Sequence, residues 1–295
     1  LVVAIALIAI RIYPTGEYHI VTLRSFFGVH KIYDTDDGRF RILKHGSTIH
    51  GAQVIANENG EPVSGRPKPI TYYHDRSAMN QVIWSVRARK EGPLRVAVIG
   101  LGSGTLACLM KPGETWRFFE IDPTVVEIAR NSARFTFLSS CAPDLPIVLG
   151  DARLTFAHEP DRVYDLVIVD AYSSDAVPVH LATAEAMALY KSKLAPHGVV
   201  LMHISNRHLE LKSVVEGIAN ANGLKSWIWS SDTEEADDGN YIFASDVAIA
   251  AEDIDDIGEL KWSKMWVLTP PDPAVRTWTD DYSNIAGALW RRYAK

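Results

Sequence analysis

Cysteine is nearly absent: the 295-residue chain has two, Cys108 and Cys141. That excludes the disulfide framework of a small secreted domain and fits a reducing compartment. No C-x-x-C or H-E-x-x-H spacing occurs, so no metal site is expected. Positive charge is not in excess either. The formal net charge is −6, which argues against a surface for non-specific nucleic-acid binding and suits a cationic substrate. Internal repeats and low-complexity tracts are missing. The longest apolar run, Leu1 to Ile10, is too short for a bilayer, which takes about 20 residues. With Arg11 behind it, the run reads as the cytoplasmic end of a truncated transmembrane helix; a buried N-terminal element is the alternative. A signal peptide fits poorly, because the basic residue follows the apolar run.

What remains is the composition of an ordinary globular protein, 47% hydrophobic and 22% charged, long enough for a substantial core. Residues 17 to 55 read as β structure, with Asp36-Asp37-Gly38 as a hairpin turn. Residues 57 to 69 are rich in Gly, Pro and polar residues and read as a loop. Ser77 to Lys90 carries Met79, Val82, Ile83 and Val86 at helical spacing. From Leu94 onward strand signals (95–99, 116–120, 147–149, 164–170, 199–204, 225–229, 241–245) alternate with helical ones (123–135, 183–194, 211–221). That alternation predicts an α/β fold: a Rossmann-like, doubly wound, mostly parallel sheet behind a small N-terminal β domain. The expected division is 1–13 for the apolar segment, 14–70 for the β domain and 71–295 for the Rossmann-like domain.

The densest signal is Val96-Ala97-Val98-Ile99-Gly100-Leu101-Gly102-Ser103-Gly104-Thr105, followed by Glu120-Ile121-Asp122. A buried strand, a glycine turn and an acid at the end of the next parallel strand form a nucleoside site. Glycines let the backbone approach the ligand, and the carboxylate accepts from ribose hydroxyls. Gly150-Asp151-Ala152 and Asp170 close the next two strands, so three carboxylates converge on one crevice. Glu120 is expected on the ribose, Asp151 on an adenine amino group, and Asp170 nearest a transferred group. The plainer alternative for each Asp is a helix cap or a turn.

These segments resemble, in order, the motifs of the polyamine aminopropyltransferases, the spermidine and spermine synthases. The matching elements are His50-Gly51-Ala52-Gln53, Tyr73-His74-Asp75, Gly100 to Gly104, Glu120-Ile121-Asp122, Gly150-Asp151-Ala152 and Asp170 to Pro178. The match runs from about Gly46 to Asn206. It is similar, more narrowly, to a bacterial spermidine-synthase-like branch often fused to a membrane region, with Arg24-Ser25-Phe26-Phe27-Gly28 and Thr279-Asp280-Asp281-Tyr282 also fitting. The resemblance implies decarboxylated S-adenosylmethionine as donor, an amine acceptor and released methylthioadenosine. It implies Asp170 as catalytic base. Gln53, Gly100, Gly102, Ser103, Gly104, Glu120, Ile121, Asp151 and Ala152 become candidates for donor binding. Tyr73, His74, Tyr172 and Asp175 become candidates for the substrate. A homo-oligomer at the cytoplasmic face, tethered to a membrane in the full-length protein, is the matching expectation.

The chain departs from that pattern. Ser103 stands where the family has the Asp that grips the donor's amino group, and Asp175 sits two residues late. An enzyme acting on intact S-adenosylmethionine, by methyl transfer or by release of methylthioadenosine, is therefore the first alternative. A non-catalytic nucleoside sensor is the second.

Overall fold

The computed structural model describes residues 17–171, 178–230 and 236–294. Four β-rich segments close on one another first. β1 (Glu17–Ser25), β2 (Gly28–Thr35), β3 (Phe40–His45) and β4 (Thr48–Val54) form an antiparallel meander in chain order. The expected turn joins β2 to β3, with Gly38 at φ +67 donating to the Thr35 carbonyl at 2.8 Å. Side chains alternate across this sheet. Ile32 and Leu43 pack toward Phe135 and Phe137, whereas Tyr33, Phe40 and Ile42 form a second cluster with Ala52 and Ile70.

The rest of the chain builds a second sheet. Its members are β5 (Arg95–Ile99), β6 (Thr115–Glu120), β7 (Ile147–Leu149), β8 (Tyr164–Val169), β9 (Leu194–His203), β10 (Lys225–Trp229), β11 (Val247–Ala251) and β12 (Val267–Leu268), in the order β12-β10-β11-β9-β8-β5-β6-β7. The five strands from β7 to β9 are parallel; β11, β10 and β12 run antiparallel at the far side. Every β8 residue is buried, as a central parallel strand requires. Helices cover both faces. α1 (Ala78–Arg89) lays Met79, Val82, Ile83 and Val86 on the face of Val96 and Val98. On the opposite face, α5 (Ala184–Lys193) and α6 (Lys212–Ala221) place Met187, Tyr190, Val214 and Ile218 against Ala97, Ile99, Val167 and Val169. The remaining helices are α2 (Pro123–Arg130), α3 (Phe137–Cys141), α4 (Ala152–Thr155) and α7 (Ile285–Tyr293).

Three expectations are corrected. The helix expected over 123–135 ends at Arg130, because the Asn131 side chain accepts from Ala133 N at 3.0 Å and turns the chain. Phe135 and Phe137 then reach the N-terminal sheet. The strand expected over 241–245 lies instead at Val247–Ala251, whose five apolar residues are all buried between β9 and β10. Cys108 and Cys141 form a disulfide, with Cα atoms 5.0 Å apart. One such bond is no small-domain framework, but it does not fit the reducing compartment expected from two cysteines. The 3-10 turn Thr105–Leu109 after the glycine loop packs on α3, and this contact brings two sequence-distant thiols together. Among the described residues no helix is long and apolar enough to cross a membrane. Leu1 to Ile10 lies outside the described residues.

Candidate active site

Parallel sheets of this kind bind ligands beyond the carboxyl ends of their strands, where the order reverses. Here that point lies between β5 and β8, since the chain passes outward to β6 from one side of β5 and pairs β8 on the other. A cavity of about 740 Å³ opens there, a size suited to a small-molecule ligand. Gly100, Leu101 and Gly102 from the loop after β5 line it, with Glu120 and Ile121 after β6, Gly150, Asp151 and Ala152 after β7, and Asp170 after β8. The N-terminal sheet closes the other side with His30, His45 and His50.

Glycine is required at the closest approaches. Gly100 adopts φ +103, and a Cβ there would collide with the Asp170 carbonyl. Gly102 adopts φ +53, and a Cβ would stand 2.8 Å from the His50 carbonyl oxygen. The Glu120 carboxylate accepts from Leu101 N at 3.0 Å and Asp122 N at 2.9 Å. It thereby ties the glycine loop to the next strand end. Burial pushes its pKa up, against those two hydrogen bonds. Asp151 caps α4 by accepting from Arg153 N at 2.8 Å and also lines the cavity, so it is both cap and wall.

Asp170 is held otherwise. One carboxylate oxygen accepts from the Tyr73 hydroxyl, and the other lies 2.7 Å from His203 Nδ1. The Asp170 and His203 side chains are only 5% and 8% exposed. The Tyr72 ring lies 4.6 Å from the His203 ring, and its hydroxyl 3.4 Å from that of Tyr73. Burial first, then the Asp170 charge, pushes both phenol pKa values well up, so both stay protonated as donors. The carboxylate thus carries the contacts of a site residue, drawn from two distant segments.

No family model matches the chain. In sequence it is 30% identical over 114 residues to a polyamine aminopropyltransferase of Vibrio vulnificus, a match spanning 37% of each chain. In structure it is similar to a probable spermidine synthase from Corynebacterium glutamicum, with a TM-score of 0.60 and 14% identity over 90% of this chain and 97% of that one. The spermidine synthase of Thermotoga maritima gives a TM-score of 0.54 at 14% identity over 92% of this chain and 84% of that one. The chain has the spermidine synthase fold. The sequence match covers little more than a third of the curated relative.

Against the spermidine synthase pattern, the expected residues divide. Gly100, Gly102, Glu120, Ile121, Asp151, Ala152, Tyr73 and Asp170 line the cavity. Gln53, Ser103, Gly104 and His74 do not. Gln53 bonds Thr136 twice, donating to its Oγ1 and accepting from its N, both at 2.8 Å. Ser103 is 1% exposed, bonds Thr105 Oγ1 at 2.9 Å and packs so closely on Gly51 that a Cβ there would collide with it. Gly104 adopts φ +87 beneath Leu138. His74 is buried behind Tyr73. Tyr172 and Asp175 lie outside the described residues.

The cavity also holds residues that sequence reasoning missed. His203 is the chief one; it ends β9, the strand beside β8, one position before the strand end expected from sequence. His30, His45 and His50 follow one another with ring centroids 4.6 and 5.5 Å apart. His30 is tied at 2.7 Å to Asp122, which also accepts from Ser25 at 2.6 Å. Burial would raise the Asp122 pKa, but these bonds hold it below the usual carboxylate value. Burial, then His45, pushes His50 down to about 4. Its ring stays neutral near pH 7.

Proposed function

We propose that this protein is a spermidine-synthase-like transferase that moves an aminopropyl group from decarboxylated S-adenosylmethionine to a small amine and releases methylthioadenosine. The observation that carries the reading is the position of Asp170. Its carboxylate, fixed by Tyr73 and His203, shares one cavity with the glycine loop, Glu120 and Asp151. The nucleoside would lie on the glycine loop, its ribose on Glu120 and its base near Asp151. That leaves the sulfonium arm directed toward Asp170, at the adjacent strand end.

The chemistry follows from that placement. An alkylammonium must lose a proton before its nitrogen can attack. The Asp170 carboxylate draws the cation in, and the Asp170 site takes the proton. The nitrogen lone pair forms a bond to the carbon beside the sulfonium. The carbon–sulfur bond breaks, its electrons returning to sulfur, and the neutral thioether leaves. The leaving group is already activated, so positioning supplies much of the rate. The family likeness and the acidic balance of the chain support an amine acceptor.

One observation favours a second reading. Ser103 is turned into packing contacts and offers the cavity no carboxylate at that loop position. A donor that keeps its own carboxylate needs none there, so intact S-adenosylmethionine is the runner-up. Mass spectrometry of the purified protein separates the two. Decarboxylated donor with putrescine, spermidine or agmatine should yield methylthioadenosine and an extended polyamine. Turnover of the intact donor alone would instead support the second reading, and binding without turnover would overturn both.

A further inference from the structure

We propose that the acceptor is an amine that also carries a carboxylate, an amino-acid-like substrate whose anionic end is held by Arg207 and Arg292. This rests on the transferase reading above and names the substrate class for the same site. Both arginines line the cavity as exposed residues, and among the described residues neither meets a carboxylate. Cationic neighbours are matched instead. Arg291 donates from Nε to Glu210 at 3.0 Å, and Lys212 lies 3.7 Å from Asp246. Tertiary contacts hold the two arginines on one rim. Arg207 lies in the loop after β9, and Arg292 in the last turn of α7. The residues next to them, His208 and Tyr293, meet at 3.0 Å between Nδ1 and the hydroxyl. Glu210 N donates to the Ala288 carbonyl at 3.0 Å, so loop and helix are docked. The Asn206 side chain accepts from His208 N and Leu209 N at 2.9 and 2.8 Å, which fixes the turn that carries Arg207. Like charges on one rim repel, and an anion between them removes the repulsion.

Strand order says which end of the cavity this is. Glu120 and Asp151 follow β6 and β7, on one side of Asp170, and β9 lies on the other. A nucleoside on the glycine loop therefore leaves the arginines to the acceptor, beyond the amine that meets Asp170. Past β9, the carboxylate that lines the cavity among the described residues is Asp246, next to β11 and already beside Lys212. A plain diamine would bring its second ammonium against two guanidinium groups. A carboxylate would meet planar donors that bind it through two parallel hydrogen bonds. Repulsion of the one and capture of the other act in the same direction, and their difference is the specificity.

The test uses a matched pair, putrescine and ornithine, the second being putrescine with a carboxylate beside one amine. Methylthioadenosine release from the decarboxylated donor is measured with both, for wild type and for the double variant Arg207→Gln, Arg292→Gln. Wild type should show a KM for ornithine about tenfold or more below that for putrescine, with the gap narrowing as salt rises. In the double variant the KM for ornithine should rise by about that factor, and the KM for putrescine should fall. A wild type that prefers putrescine, or a double variant that keeps the preference for ornithine, overturns the proposal. Should wild type transfer to neither amine, the transferase reading fails by itself. Calorimetry of ornithine with the methylthioadenosine complex then decides the substrate class. Binding that the double variant weakens about tenfold or more supports it; no binding to wild type, or equal binding to both, overturns it. Intact S-adenosylmethionine is the other source of a carboxylate. If the double variant weakens its binding and leaves that of ornithine as it was, the arginines belong to the donor and the proposal falls.

Discussion

Gly100 turns at φ +103 directly against the Asp170 carbonyl, so the glycine loop and Asp170 share one backbone contact. The Asp170 amide is itself bonded to the Ile99 carbonyl at 2.8 Å. The end of β5 and the end of β8 are thus one rigid unit. The glycine loop and Asp170 cannot shift separately.

Gly100→Ala is therefore expected to do more than a loop substitution does. The positive φ alone costs about 1–3 kcal/mol in a residue with a side chain, and the collision with Asp170 displaces the loop. Thermal unfolding should shift down, and calorimetry should show methylthioadenosine binding weakened together with it.

Glu120→Ala removes the expected ribose contact and also the acceptor of Leu101 N and Asp122 N. A charge-assisted hydrogen bond contributes about 1.5–3 kcal/mol, or roughly ten- to more than a hundredfold in affinity. Methylthioadenosine affinity should fall by that factor. The melting temperature should fall as well, because two backbone donors lose their partner.

Ser103→Asp restores the residue type the family pattern has, yet it should not restore an amine contact. Position 103 is buried between Gly51 and Thr105. A carboxylate there is a buried unpaired charge, a loss of about 3–5 kcal/mol. Chemical denaturation should show that loss, with no gain in preference for the decarboxylated donor.

Reduction of Cys108–Cys141 opens a link between residues 33 apart in sequence. The chain-entropy estimate for a loop of that length is about 3–4 kcal/mol. Unfolding in guanidinium with and without reductant, compared with Cys108→Ser, should show matching losses. Nucleoside affinity reports whether the turn after the glycine loop shifts with it.

His50 sets a pH dependence of known sign. Its pKa is about 4 in the fold against an ordinary 6.5, so the unfolded chain takes up the proton first. Its contribution is full above pH 6.5 and is lost as pH falls toward 4, by at most about 3 kcal/mol. Glu120, raised by burial, acts in the opposite sense. The stability of His50→Gln should therefore fall less steeply than that of wild type between pH 6.5 and 4.

Much of the site was legible because its signals are local. Val96 to Thr105 shows a buried strand running into glycines, and Glu120, Asp151 and Asp170 each close an apolar run. Strand ends can be read from hydrophobic pattern, and a parallel sheet gathers them on one edge. His203 escaped notice because a single histidine after Val199-Val200-Leu201-Met202 has no spacing signal. Its meaning comes from lying beside Asp170. Gln53 and Ser103 matched a motif, but Gln53 is claimed by Thr136, 83 positions away, and Ser103 by Thr105 two positions on and by the packing of distant Gly51.

By itself the sequence determined the alternation of strands and helices, the hairpin at Gly38, the glycine turn and the three carboxylates. All of these follow from neighbours within a few positions, through hydrophobic period and backbone freedom. Tertiary structure alone decided which side chains face the cavity, that Cys108 meets Cys141, and that Asp170 is paired with His203 and Tyr73. Those outcomes depend on packing between segments 33 to 97 residues apart. At such separations the direction of a side chain is set by what the rest of the core leaves open.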